Sequence, residues 1–243
     1  VYALAAVMAT VAVSVVGPTA HSVELTRPKQ SPINITAESV RADHPLPPLR
    51  IDYHHSDVTL TYKRKDADVP DGCVTRHREE TEEADIVPGT AHVMLSGVQY
   101  DLVQFHFHTP SEHQLAGHSA PLEMHLVHRS AAGKLLVIGI PLLPGHPSTV
   151  DKVLDRLAPE CGDTVHVGDI DLNSLLPLDR RSLRYDGSLT TAPFTEDVQW
   201  ILMRDKQVSE ATIARFKALF IDGNARSPQP LNGRILHVDL PRN

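Results

Sequence analysis

The residues able to do chemistry lie in two short stretches. Gln104-Phe105-His106-Phe107-His108 is followed closely by Ser111-Glu112-His113, and Glu123-Met124-His125-Leu126-Val127-His128 comes soon after. Six of the chain's fifteen histidines fall between positions 104 and 128. Two histidines two residues apart, joined by a third from a neighbouring strand, offer three neutral nitrogen donors with room for a water. Three protein ligands and one open position is the pattern of catalytic zinc, whereas structural zinc sites fill all four positions. Imidazole would also suit copper, iron or nickel. A ligating imidazole needs an acceptor for its second ring nitrogen. Gln104 and Glu123 each stand two residues before a candidate ligand and could serve. An H-x-H pair alone is weak evidence, being more often part of an ordinary strand. The third histidine and the carboxylate on its face are what favour a metal.

Strands must position these groups. Asp101 to His108 and Leu122 to His128 alternate apolar and polar residues. Residues two apart in a strand share a face. Gln104, His106 and His108 therefore point one way, and Val103, Phe105 and Phe107 the other; Glu123, His125 and Val127 share a face of the second strand. Upstream, Pro45, Pro47 and Pro48 mark a loop, and alternation through Ile51, Tyr53, Val58, Leu60 and Tyr62 predicts further strands. Residues 63–85 are highly charged, with Glu79-Glu80 and Glu82-Glu83, and read as a solvated surface excursion. The apolar run 134–140 reads as a strand buried on both sides. From Ser148 the spacing of Val150, Val153, Leu154 and Leu157 predicts a helix. A second is expected at about Ser209 to Phe220, where Ser209 could cap and Ile213, Phe216 and Phe220 share a face. There is no repeat, no glycine-rich phosphate loop and no zinc-finger cysteine pattern.

Composition sets bounds. The chain has 243 residues, a net charge of −7 and a pI near 6.1. Such a charge argues against nucleic acid and anionic membranes as partners, and its main meaning is solubility. Cys73 and Cys161 permit one disulfide, but sequence alone does not show that the geometry allows it. Residues 1–20 carry no charge and resemble the apolar region of a signal peptide, with Val7-Met8-Ala9 or Thr10-Val11-Ala12 as cleavage ends. A membrane anchor is the alternative, since a span needs roughly 20 apolar residues. The expected organisation is an apolar segment over 1–20 and one catalytic domain over 21–243.

Several separated motifs in one order resemble the α-class carbonic anhydrases. They are QFHFHTPSEH from Gln104, LEMHLVH from Leu122, Gln30-Ser31-Pro32-Ile33-Asn34-Ile35, YDGSLTTAP from Tyr185 to Pro193, and Gln229-Pro230-Leu231-Asn232-Gly233-Arg234. The match runs over residues 30 to 240 and is poor near 63 to 88. The resemblance implies a mainly β fold with peripheral helices (α+β), built on a large, twisted, mostly antiparallel sheet. It implies Zn²⁺ on His106, His108 and His125. Gln104 would hold the ring of His106, Glu123 that of His125, and the backbone carbonyl of Asn224 that of His108. Thr190 would accept from zinc-bound hydroxide and donate to Glu112. Val127, Val137, Leu189 and Trp200 would form the apolar wall for CO₂, with Thr191 beside bicarbonate.

The implied reaction is reversible CO₂ hydration by attack of zinc-bound hydroxide, with esterase activity on the same site. A binding module that has lost turnover is the rival reading, and the presence of all three histidines favours the enzyme. The family's exported members place this chain in the periplasm or outside the cell. Its oligomeric state stays open, a homodimer included. Departures from the family are equally specific. The Asn-Gly-His whose histidine shuttles protons is missing; His77 is a weak substitute and His92 another. Bacterial relatives often bridge a cysteine before QSPI to one after the TTPP motif. Here Lys29 and Phe194 stand near those places, so a Cys73–Cys161 bond would be a different one. Ala192 and Ala225 replace a proline and an aromatic. Ser31-Pro32 and Ala192-Pro193 match cis prolines.

Overall fold

The structure, a computed structural model, describes residues 28–42, 46–65 and 79–239. Eight strands carry the argument: β1 (His55–Lys63), β2 (Thr81–Ile86), β3 (Val98–His108), β4 (Leu122–Ser130), β5 (Leu135–Pro144), β6 (Val165–Asp171), β7 (Ser182–Ser188) and β8 (Glu196–Met203). They lie side by side in one 13-stranded sheet in the order β6-β1-β2-β3-β4-β5-β8-β7. Neighbours are antiparallel except β5 and β8, which run parallel. Helices are few and lie off the sheet: α1 (Thr149–Val153) and α2 (Glu210–Leu219). The expected mainly β architecture with a mostly antiparallel sheet is what forms.

Alternation sends the two sets of side chains to opposite faces. Phe105, Phe107, Met124, Leu126, Leu136, Ile138 and Ile140 enter one large core with Phe216 of α2. Val137, Tyr185, Trp200 and Leu202 enter a smaller one on the other face with Ile33 and Leu236. The histidines belong to that second face. Cross-strand partners point to the same side of a sheet, so the register can be read as rows. One row runs Glu83, His106, His125, Gly139, Leu202. The next runs Asp85, Gln104, Val127, Val137, Trp200, Tyr185.

Three expectations need correction. Residues 81–86 are no surface excursion: β2 is hydrogen-bonded between β1 and β3. Charge content misled because only one face of this strand is wet. Ala84 and Ile86 alternate into the core, and even Glu82 is buried. Second, Val103 does not join Phe105 on the core face. Val127 pairs with Gln104 while His128 pairs with Leu102, so Val103 is the extra residue of a β-bulge. A bulge reverses the parity of what precedes it: Leu102 is buried and Val103 is 41% exposed. Third, the helix from Ser148 stops at Val153, and Leu154 and Ala158 reach the core without further helix. The helix after Ser209 forms as expected, with Ser209 Oγ accepting from the Thr212 N–H at 3.2 Å.

Candidate metal centre

His106 and His108, two apart on β3, and His125, directly across from His106 on β4, bring their rings together. Ring centroids are 5.0 Å apart for His106–His108, 5.3 Å for His106–His125 and 4.7 Å for His108–His125. One nitrogen from each ring lies within 4.8 Å of the other two. Each ring's other nitrogen faces an acceptor. His106 Nδ1 is 2.9 Å from Gln104 Oε1, and His108 Nδ1 is 3.0 Å from the Asn224 carbonyl. His125 Nε2 is 3.0 Å from Glu123 Oε1, close but outside hydrogen-bond alignment. Burial holds all three imidazoles below their usual range, and mutual repulsion adds to it at His106. They are neutral, with lone pairs to give. His108 Nε2 is buried with no protein partner. An orphaned nitrogen beside two others is costly by itself and is what a metal would satisfy; the neutral nitrogen donor set fits Zn²⁺.

His113, Glu123 and His125 form a second close group. It is a hydrogen-bonded support, because His113 and Glu123 already engage each other. Glu123 Oε2 accepts from the His113 backbone N–H at 2.8 Å and Oε1 faces His113 Nδ1 at 2.7 Å. Tyr185 Oη lies 2.7 Å from His113 Nε2 and 2.9 Å from Ser31 Oγ. Burial pushes Glu123 up, but His113 and His125 outweigh it and hold the carboxyl well below the usual range. Trp200 packs its ring 4.9 Å from His125 and 4.7 Å from His113, and its indole N–H donates to the Ser188 carbonyl at 2.9 Å.

Asn224 ties the ends of the site. Its Oδ1 accepts from Thr109 N at 2.7 Å, and its Nδ2 donates to the carbonyls of Glu80 at 2.9 Å and Phe107 at 3.0 Å. Beside it opens a cavity of about 200 Å³ whose lining includes His108, Glu112, Thr190, Thr191 and Arg226. Glu112 Oε1 accepts from the Arg226 backbone N–H at 2.9 Å, while Oε2 is buried with no hydrogen-bond partner. Burial raises the Glu112 carboxyl to about 7, against the opposing pull of His125, the Arg226 N–H and the Thr190 hydroxyl.

The expected wall residues do not line this cavity. Val127, Val137, Leu189 and Trp200 instead pack together in the smaller core beside it. Ser31-Pro32 and Ala192-Pro193 are cis, and so is Thr109-Pro110, which the sequence reading did not single out. His77, Cys73 and residues 1–20 lie outside the described residues. Cys161 is disulfide-bonded. His92 sits on the Ala91–Leu95 strand with Nε2 3.6 Å from Asp52, away from the cavity lining. Sequence reasoning passed over His113, Tyr185, Ser31, Arg226 and Glu83. The first three stand inside the motifs quoted above, and that was their only signal.

Comparison with known proteins points one way. The model of the eukaryotic-type carbonic anhydrase family matches residues 19–239. A carbonic anhydrase from Klebsiella pneumoniae is 34% identical over 210 residues, covering 85% of this chain and 78% of that protein. The solved α-carbonic anhydrase of Photobacterium profundum superposes with a TM-score of 0.73 at 32% identity, over 86% of this chain and 88% of that one. The α-carbonic anhydrase of Thermovibrio ammonificans, solved with the inhibitor sulfanilamide, gives a TM-score of 0.75 at 29% identity, covering 86% of each chain.

Proposed function

The chain belongs to the eukaryotic-type carbonic anhydrase family, and from that premise we propose that it hydrates CO₂ with Zn²⁺ held by His106, His108 and His125. The family's general reaction interconverts CO₂ and bicarbonate. The observation that carries the zinc reading is the buried, partnerless Nε2 of His108 among nitrogens within 4.8 Å of one another. Zn²⁺, when bound, supplies a Lewis acid that lowers the pKa of water to near ~7, a magnitude for which carbonic anhydrase is itself the reference case.

The chain's own residues supply orientation. Gln104 and Asn224 engage one nitrogen of His106 and of His108, and Glu123 Oε1 stands 3.0 Å from His125 Nε2, which leaves each ring's other nitrogen for the metal. Glu112 has one oxygen engaged by the Arg226 N–H and one without a partner in the cavity wall. Thr190 is the nearby hydroxyl that can supply it. A hydroxyl has one proton to give. Once it is given to Glu112, Thr190 can only accept from the reacting water, which turns that water's lone pair toward substrate. Thr191 lines the cavity with a hydroxyl suited to bicarbonate, and the apolar cluster of Val127, Val137, Leu189 and Trp200 packs beside it, on the side we assign to CO₂. The same nucleophile would cleave an activated ester.

Zinc analysis and stopped-flow CO₂ hydration on the purified chain test this reading. About one zinc per chain and hydration inhibited by sulfanilamide are expected. A zinc-replete chain that does not hydrate CO₂ would sink it. Export is part of the proposal. The uncharged residues 1–20 and the disulfide at Cys161 support an oxidising compartment.

A further inference from the structure

We infer that Glu83 is a positioning residue that sets, through Gln104, which nitrogen of His106 is free for the metal; this rests on the zinc reading above. Glu83 pairs directly with His106 across β2 and β3, so both side chains stand on the metal face. Its Oε2 accepts from Gln104 Nε2 at 3.1 Å, and its Oε1 lies 3.1 Å from Lys63 Nζ. The Glu83 side chain is 17% exposed. Gln104 Oε1, in turn, is 2.9 Å from His106 Nδ1.

The chemistry admits one arrangement. A primary amide has an accepting end and a donating end of the same shape, and it can turn over. A neutral imidazole carries one proton on one of two nitrogens. Were Gln104 to present its NH₂ to His106 Nδ1, that nitrogen would have to accept. The ring proton would then sit on Nε2, where the metal must bind. A carboxylate has only acceptors to offer. Beside Glu83, the amide NH₂ must face Glu83 and the carbonyl must face His106. Nδ1 then donates, and the Nε2 lone pair is free.

The other two ligands need no such help. His108 faces a backbone carbonyl, which cannot turn over, and His125 faces a carboxylate, which cannot donate. Gln104 alone is ambiguous, and Glu83 removes the ambiguity. Lys63, on the neighbouring strand, steadies the carboxylate. An ion pair whose lysine is largely exposed adds little stability, so the consequence of the pair is orientation.

Equilibrium Zn²⁺ affinity, measured by competition with a chelating dye, is the readout. Removing outer partners of zinc ligands typically weakens metal affinity 10- to 100-fold. Glu83→Lys puts a donor where only an acceptor worked, and should weaken binding by about tenfold or more. Glu83→Gln, nearly isosteric, should weaken it by about threefold, below that range because a second amide can still turn to accept. The decisive variant adds Gln104→Glu to either. A carboxylate at position 104 accepts from His106 whatever its neighbour does, so affinity should return to the wild-type value in both double variants. Loss of the Glu83–Lys63 pair as a merely structural contact would not be repaired at position 104. If Glu83→Lys fails to fold, Glu83→Gln with and without Gln104→Glu decides. Wild-type affinity in the single variants, or no recovery in the doubles, overturns the inference while leaving the zinc reading intact. A wild-type chain that binds no zinc overturns both.

Discussion

Gly139 and Glu123 meet with no room for a side chain between them. A Cβ on Gly139 would stand 3.0 Å from Glu123 Oε1 and 2.8 Å from Leu202 Cδ2. That oxygen faces both His113 and His125. Gly139→Ala should therefore displace the carboxylate that positions His125. Overpacking of this kind costs about 1–3 kcal/mol, readable by urea unfolding, and zinc affinity should fall by about tenfold, the low end for outer partners of zinc ligands. Unchanged zinc affinity would mean that Glu123 does not act on His125.

Ligand and orienter should separate cleanly. His125→Ala leaves two ring nitrogens and should lose both zinc and nearly all hydration. Thr190→Ala should keep its zinc and lose on the order of 100-fold in kcat/KM, the scale of a lost positioning contact. Metal analysis and stopped-flow assays on the same preparations check both. Wild-type rates from Thr190→Ala would remove it from the mechanism.

Glu82 predicts how stability depends on pH. Both its oxygens are buried with no well-aligned hydrogen bond, and burial, opposed weakly by the Ala158 backbone, raises the carboxyl to about 8. The folded state therefore keeps a proton that the unfolded chain releases above its ordinary value of 4.5. Stability attributable to this group is full below that value. It falls as pH rises toward 8 and is flat above, with a slope of up to about 1.4 kcal/mol per pH unit. Glu82→Gln should flatten the profile between pH 5 and 8. Parallel denaturation profiles for the two proteins would show that Glu82 finds a partner.

Proton removal should lean on buffer. Among the described residues lining the cavity, the sole histidine is His108, one of the three grouped imidazoles. A free imidazole, with a pKa of ~6.5, carries protons well near neutrality. Raising the concentration of an imidazole-type buffer should raise kcat and leave kcat/KM for CO₂ hydration flat, because proton export does not enter the latter. A high kcat indifferent to buffer would reveal an internal shuttle, and His77→Ala would then be the variant that tests His77.

The sequence by itself marked His106, His108 and His125 as candidate ligands. Side chains two apart on a strand share a face whatever the strand packs against, so His106 and His108 were legible, as was the placement of Gln104 and Glu123 beside their ligands. Separate motifs in one order carried the rest of the resemblance. Which strand lies beside which was not legible. The charge of residues 79–83 hid the fact that β2 enters the sheet next to β3, bringing Glu83 opposite His106. The bulge at Val103 hid the parity of Tyr100 and Leu102. The acceptor of His108 lies 116 residues away at Asn224, and Tyr185 reaches His113 across 72 residues. Face and period are local properties of a strand and are written in neighbouring residues. Register and hydrogen-bond partners belong to pairs of distant strands, and only the burial of both cores at once selects them.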